Sequence, residues 1–393
     1  MSELLRRTWA QIDLDALGEN IRVIKGILRP DVKLCATVKA DGYGHGYAYT
    51  AAHMAENEVD WFAVSNLSEA LQLRKIGISA PILILGYTPP ERAEELAFND
   101  ISQAVFSASY AKALSDNAVL SGIKVNAHIK IDTGMSRLGF LYHDTVADAS
   151  VLDEIETVCR LPGLFPEGIF THFSSADCED GELFTRLQYE LFCSAADRLS
   201  ARGITFLFRH CSNSAAILQY PEMQFDMVRA GIILYGMYPS ESVRKTVPLR
   251  PVMELKTVIS MIKTIPADTQ ISYGRRFTSD REMRVATVPV GYADGYPRLL
   301  SGKAYMLVNG QCAPVLGNVC MDQCMIDVTD IPDAAEGQTV TVFGYDNGAF
   351  LSADTLAKTA GLINYEIVCG ISRRVPRIYK KKDEIVQVTD YMF

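Results

Sequence analysis

The segment Thr37-Val-Lys-Ala-Asp-Gly-Tyr-Gly-His-Gly46 closes an apolar run with a lysine and follows it with three glycines in six positions. A lysine at such a strand end is half-desolvated, which lowers its pKa and makes Lys39 a candidate Schiff-base nucleophile. The plainer reading is a side chain that lays its stem on the sheet and snorkels to water. The spacing Gly42-x-Gly44-x-Gly46 is not the G-x-G-x-x-G of dinucleotide sites, though it permits a bend and close backbone approach. Other chemistries lack their residues. The six histidines show no H-x-x-x-H or H-E-x-x-H spacing, so no zinc site is expected. Cys312, Cys320 and Cys324 have no partnering histidine nearby and read as a buried trio. No G-x-S-x-G elbow or P-loop occurs.

A strand-end lysine needs a scaffold to hold it. Up to about residue 240, short runs rich in apolar and β-branched residues read as buried strands: Lys33–Lys39, Trp61–Val64, Pro81–Leu85, Ser102–Phe106, Val125–Ile131, Pro166–His172, Thr205–His210 and Phe225–Arg229. Helical patterns separate most of them. The clearest is Gly181–Ala201, where Phe184, Leu187, Leu191, Ala195 and Leu199 form one apolar stripe. Alternating strands and helices pair in parallel with right-handed crossovers, and eight strands suggest closure into a barrel, with an open doubly wound sheet as competitor.

After Pro239 the runs shorten and turn signals multiply: Pro266-Ala-Asp, Tyr292-Ala-Asp-Gly, Asn309-Gly310 and Asp346-Asn-Gly. This is the grammar of antiparallel sheet. One helix is expected over Ser352–Ala360, with Ser352 as N-cap and Gly361 as C-cap. Trp9–Leu14 alternates like a strand and is expected to pair with this second domain. The expected division is a barrel over residues 10–240 and a mainly β domain from residues 1–9 and 241–393, the change falling in 239–248.

Lys and Arg number 38 against 47 Asp and Glu, a formal charge of −9, which would repel phosphate backbones and anionic lipid surfaces. Neither a nucleic acid nor a membrane is expected as partner. The longest stretch free of Asp, Glu, Lys and Arg, Ala304–Met321, carries Asn309, Gln311, Pro314 and Asn318 and would be costly in lipid. Arg6-Arg7 leads into Thr-Trp-Ala-Gln rather than an apolar signal segment. Nine irregularly spaced cysteines fit reduced core thiols, and a cytoplasmic location is expected.

Val38-Lys39-Ala-Asp-Gly-Tyr43-Gly-His-Gly resembles the pyridoxal-phosphate attachment motif of bacterial alanine racemases, whose usual form, Lys-Ala-Asn-Ala-Tyr-Gly-His-Gly, differs at Asp41 and Gly42. Further motifs of that family follow in order. They are Ile131-Asp-Thr-Gly-Met-Ser-Arg137-Leu-Gly, Thr171-His172-Phe, Ser212-Asn213-Ser214-Ala-Ala, Val228-Arg229-Ala-Gly231-Ile232, Ile271-Ser-Tyr273-Gly, Gly291-Tyr292-Ala-Asp-Gly, Cys320-Met321-Asp322-Gln and Asn364-Tyr365-Glu. The resemblance spans Trp9 to Arg377. It implies a (β/α)8 TIM-type barrel followed by a mainly antiparallel β domain, and it agrees with the strand map. Lys39 closes the first strand, Arg137 follows the fifth and His172 closes the sixth. Asn213 and Ser214 follow the seventh, and Arg229 closes the eighth. Barrel active sites lie at these carboxyl ends.

The resemblance implies a pyridoxal-phosphate-dependent alanine racemase, interconverting L- and D-alanine by two bases and supplying D-alanine for peptidoglycan. It makes Lys39 the cofactor's attachment point and one acid/base. Tyr273, from the partner subunit of a homodimer, would be the other, its phenol lowered through His172 toward Arg229. Arg229 would face the pyridine nitrogen and keep it unprotonated, weakening the ring as an electron sink. Taken alone, Arg229 reads as an ion pair with Asp226. Tyr43, Ser214, the amides of Gly231 and Ile232, and Tyr365 would hold the phosphate, with His172 and Asn213 also around the cofactor. Arg137 and the Met321 amide would bind the substrate carboxylate, supported by Lys130, Tyr292 and Asp322. Lys130 matches a lysine that is often carbamylated and braces the arginine. Asn318 stands where the family often has an entry-channel arginine. The alternatives are a serine or broad-specificity racemase of the same fold and a fold-related decarboxylase. The decarboxylase class carries a glycine triplet at the phosphate loop and no Ile-Ser-Tyr-Gly. A non-enzymatic cofactor-binding barrel would end near residue 240.

Overall fold

The computed structural model describes residues 7–392; residues 1–6, including Arg6, and Phe393 lie outside them. The chain forms two compact units. One holds Leu17–Gly42 and Tyr47–Arg250; the other holds the residues up to Ala16, Tyr43–Gly46 and the chain from Pro251. The division at Arg250/Pro251 lies just beyond the 239–248 stretch where composition changes.

The first unit is a nearly closed barrel of eight parallel strands: Lys33–Thr37, Trp61–Val64, Ile82–Ile84, Ile101–Val105, Val125–Asp132, Leu164–Phe170, Phe208–His210 and Met227–Ala230. They are called the first to eighth barrel strands below. The first seven pair each with the next in order, and the eighth pairs with the first with Arg229 opposite Cys35. The seventh and eighth are joined by isolated bonds, Asp226 N to Arg209 O (3.1 Å) and Arg229 N to Ser212 O (2.9 Å). Helices Tyr47–Glu56, Leu67–Lys75, Ala93–Phe98, Ala108–Leu120, Val151–Cys159, Glu182–Ala201 and Ser214–Gln219 run between strands. Asn66, Ser107 and Asn213 cap three of them by accepting from the third following amide. Inside the barrel Cys35, Trp61, Ala63, Leu83 and Met227 form an apolar layer, as closed barrels require.

The second unit is built on a large sheet. Its strand order is Met261–Ile265, Met283–Val288, Cys324–Asp327, Gln311–Leu316, Tyr305–Val308, Thr339–Asp346, Met253–Val258, Thr8–Asp13, Arg377–Lys381 and Glu384–Thr389. Thr8–Asp13 pairs antiparallel with Met253–Val258 and parallel with Arg377–Lys381. Asn309 and Gly310, at φ 53° and 75°, turn the hairpin between Tyr305–Val308 and Gln311–Leu316; paired positive φ values are what an Asn-Gly turn supplies. Ser352 and a left-handed Gly361 cap the helix Ala353–Ala360. A second helix, Asn364–Cys369, was not foreseen, being too short for a periodic stripe.

Of the nine cysteines only Cys35, Cys159, Cys211 and Cys324 are buried, so the expectation of core thiols holds for those four. The expected buried trio is corrected. Cys324 is buried, Cys320 half-buried and Cys312 exposed, because Cys312 sits on the outward parity of its strand. Among the described residues no helix is long and apolar enough to cross a membrane.

Candidate active site

Beyond the first barrel strand the chain turns left-handed. Ala40, Asp41 and Gly42 have φ of 53°, 56° and 62°, and Gly42 N bonds Val38 O at 2.9 Å. L-residues avoid this conformation, so outside bonds must sustain it. Ala40 N donates to Glu69 Oε1 (2.8 Å), and Tyr47 N donates to Asp41 Oδ1 (3.0 Å). Lys39 opens this turn, half-buried.

The fifth strand ends in Lys130-Ile-Asp132. Lys130 is 6% exposed, and its Nζ donates to Ile131 O at 2.8 Å. Burial first, then the charge of Arg229, pushes its amine down to about 7, against a raising effect of Asp132. Asp132 Oδ1 accepts from Gly134 N and Ser136 N, shaping the loop that presents an exposed Arg137.

Arg229 is 4% exposed. Its Nη1 lies 2.6 Å from His210 Nδ1. Its Nη2 bonds Thr171 O (2.8 Å), Cys211 O (3.1 Å) and His172 Nδ1 (3.3 Å). The ion pair with Asp226 suggested by proximity in sequence does not form, because Asp226 holds Arg209 at 3.0 Å. Burial lowers Arg229 only to about 10, which leaves it a cation at neutral pH. These four partners of the cation are carbonyls and imidazoles, all neutral acceptors. His172 sits under the combined field. Burial, then Arg229, Lys130, Arg137 and Lys39, hold its imidazole far below 6.5, and hence neutral.

A buried chain not anticipated from the sequence leads away from Arg229. A guanidinium only donates, so His210 Nδ1 accepts and its Nε2 carries the hydrogen. That nitrogen lies 2.8 Å from His128 Nδ1, so His128 in turn carries its hydrogen on Nε2. This atom is 3.3 Å from Glu167 Oε1, within ion-pair range but not aligned as a hydrogen bond. Ser102 Oγ donates to the same carboxyl oxygen. The signal was present, since Asn126, His128, Lys130 and Asp132 share one parity of an otherwise apolar strand.

Asn213 Oδ1 caps Ser214–Gln219, and Ser214 Oγ accepts from Gly231 N at 2.9 Å. Ile232 begins the short helical turn that follows. The barrel unit thus unites Lys39, Lys130, Arg137, His172, Asn213, Ser214, Arg229, Gly231 and Ile232.

The remaining candidates belong to the β unit. Tyr43 is buried, with its ring centroid 6.0 Å from that of Tyr365. Burial pushes its phenol up, reinforced by Tyr365. The adjoining Gly44 carbonyl accepts from Arg377 Nε at 3.0 Å, and a Cβ at Gly44 would collide with the Val368 carbonyl. Tyr292 N bonds Cys320 O (3.1 Å) and Ala293 N bonds Met321 O (3.0 Å), so Tyr292 and Met321 share one stretch of backbone. The buried Asp294 organises that stretch by accepting from Gly291 N and from Arg7. Arg374 holds Asp322 at 2.8 Å. Tyr273 lies beside Asn318.

An eight-stranded parallel barrel with a cationic cluster at its strand ends, joined in sequence to an antiparallel β unit, defines a class of barrel enzyme. Residues 12–239 match the family model "Alanine racemase, N-terminal domain", and residues 252–379 match "Alanine racemase, C-terminal domain". The chain is 46% identical over 393 residues to an alanine racemase of Clostridium perfringens, covering all of both chains. It is 44% identical over 392 residues to "Alanine racemase 2" of Caldanaerobacter subterraneus, also over both full lengths. Among solved structures, the alanine racemase of Clostridium difficile 630 superposes with a TM-score of 0.94 at 40% identity over both full chains. That of Bacillus anthracis with bound L-Ala-P gives 0.90 at 36%, covering 100% of this chain and 99% of the other. The chain belongs to the alanine racemase family.

Proposed function

We propose that this protein is a pyridoxal-phosphate-dependent alanine racemase working with two bases as a cytoplasmic homodimer that makes D-alanine for peptidoglycan. The observation that carries the reading is the set of cationic groups around neutral His172: Lys39, Lys130, Arg137 and the buried Arg229. A buried guanidinium held only by neutral acceptors suits an anionic, nitrogen-containing cofactor better than an empty core. The hydroxyl of Ser214 and the amide of Gly231 add a donor set for phosphate.

Pyridoxal phosphate, when bound, supplies the carbonyl that links to the substrate amine and a ring that acidifies the Cα–H bond. Lys39 Nζ holds the cofactor and carries a proton to or from one face of Cα. One group cannot reach both faces, so Tyr273 Oη of the partner subunit serves the other. Arg229, a permanent donor, keeps the ring nitrogen unprotonated. Its two imidazole partners are neutral, so neither competes for that role. Arg137 and the Met321 amide bind the substrate carboxylate, with Lys130, Tyr292 and Asp322 around them. Tyr43, Ser214, Gly231, Ile232 and Tyr365 hold the phosphate, flanked by His172 and Asn213.

Racemisation has an equilibrium constant of one, so kcat/KM falls equally in both directions in any variant, and proton exchange must be read instead. With wild type in deuterated water, both alanine enantiomers should exchange their Cα hydrogen. Tyr273→Phe should abolish racemisation while one enantiomer still exchanges through Lys39. Equal exchange from both would sink the two-base scheme, and borohydride reduction that fixes no chromophore on Lys39 would sink the cofactor assignment. Faster exchange on serine than on alanine would favour the broader-specificity alternative.

A further inference from the structure

Tyr273 is 72% exposed in the single chain, so no packing within its own subunit holds the ring, and its own subunit can aim it only through the backbone. That backbone is unusual. Ser272 has φ 66° and ψ 178°, a region populated almost only by glycine, and Gly274 and Arg275 follow at φ 72° and 52°. Such a conformation persists only where its surroundings over-determine it.

The surroundings here are a reciprocal pair of bonds with Asn318. The Asn318 side-chain amide donates to the Tyr273 carbonyl at 2.6 Å, and the Ser272 hydroxyl donates back to the Asn318 carbonyl at 2.6 Å. Asn318 is only 7% exposed. Its own position is fixed from both sides. Val319 N donates to Ser301 Oγ at 2.9 Å. Gly317, at φ +68°, lies so close that a Cβ there would sit 2.8 Å from Ser272 Cβ and 2.9 Å from the Ile271 carbonyl.

We propose that Asn318 and Ser272 form a clamp that positions the Tyr273 hydroxyl for proton transfer, making Asn318 a positioning residue rather than an entry-channel one. The proposal rests on the acid/base reading of Tyr273.

The test uses the holoenzyme and Asn318→Asp, which keeps the shape but loses the N–H donor. Ser272→Ala removes the other half of the clamp and serves if the first variant folds poorly. Cα hydrogen exchange from the enantiomer served by Tyr273 should slow about 10- to 100-fold, the scale of a small misplacement of a reacting group. Exchange from the other enantiomer should change by less than about twofold, because Lys39 is untouched. Backbone amide deuteration of peptides spanning residues 271–276 should accelerate in the same variants. Equal slowing from both enantiomers, or unchanged amide deuteration in that segment, would overturn the clamp. If Tyr273→Phe itself leaves both enantiomers exchanging alike, the acid/base reading fails, while the amide deuteration still decides whether Asn318 holds the loop.

Discussion

Replacing Lys130 by methionine should change the pH dependence of stability in a defined direction. An amine that ordinarily titrates at 10.5 is held at about 7 by burial and by the charge of Arg229. At ~1.36 kcal/mol per tenfold change, the protonated form is penalised by about 5 kcal/mol in the folded protein, an upper figure before relaxation. The folded pKa is depressed, so the penalty is fully present below about pH 7. Between about 7 and 10.5 the unfolded chain binds the extra proton, and stability rises with pH. Methionine has nearly the same length and no charge, so the variant should lose that slope and be the more stable protein near pH 6. The assay is urea unfolding at a series of pH values from about 6 to 10 in carbon-dioxide-free buffer. Bicarbonate supplies a second arm. A neutral amine can add carbon dioxide and release a proton, placing an anion near Arg229 and Arg137, so bicarbonate should stabilise the wild type and not the variant. Parallel stability curves for the two proteins between about pH 7 and 10 would refute the reasoning.

Two further outcomes are expected, the second resting on the proposed homodimer. Gly168→Ala would set a Cβ 2.6 Å from His128 Cγ, so the urea midpoint should fall by the equivalent of about 1–3 kcal/mol, and His128→Ala in the same chain should recover most of it; no recovery would mean the strain lies elsewhere. Co-expressing Lys39→Ala with Tyr273→Phe should give about a quarter of wild-type activity, since half of randomly paired dimers carry one intact site; activity no higher than either parent would argue for sites complete within one subunit.

Much of the framework was legible because its signals are local. A strand covered on both sides reads as an almost continuous apolar run, and Trp61–Val64 and Ile82–Ile84 appear as such, while Lys39, His172 and Asn213 lie next to the carboxyl ends of their own strands. The turn at Asn309-Gly310 and the caps at Ser352 and Gly361 were equally readable, because each residue type satisfies a backbone requirement within its own few neighbours. The family motifs added the roles proposed for Arg137, Arg229 and Tyr273, which no local rule supplies.

What only the tertiary structure decided is long-range. Ala40 has no intrinsic preference for a positive φ; the left-handed turn after Lys39 is held by distant groups, the Ala40 amide donating to Glu69 and the Asp41 carboxylate accepting from Tyr47 N. His128, Glu167 and His210 come from three strands, and their shared hydrogen direction follows only once Arg229 is seen to end the chain. Asn318, expected beside an entry channel, donates to the carbonyl of Tyr273, 45 residues away in sequence, a contact that no local signal announces. The sequence by itself determined which segments become strands and which residue types reach the strand ends, since burial and turn chemistry act over a few residues. Which charges lose water together, and which side chain stiffens another's backbone, depends on contacts between distant segments, and those exist only after the chain has closed on itself.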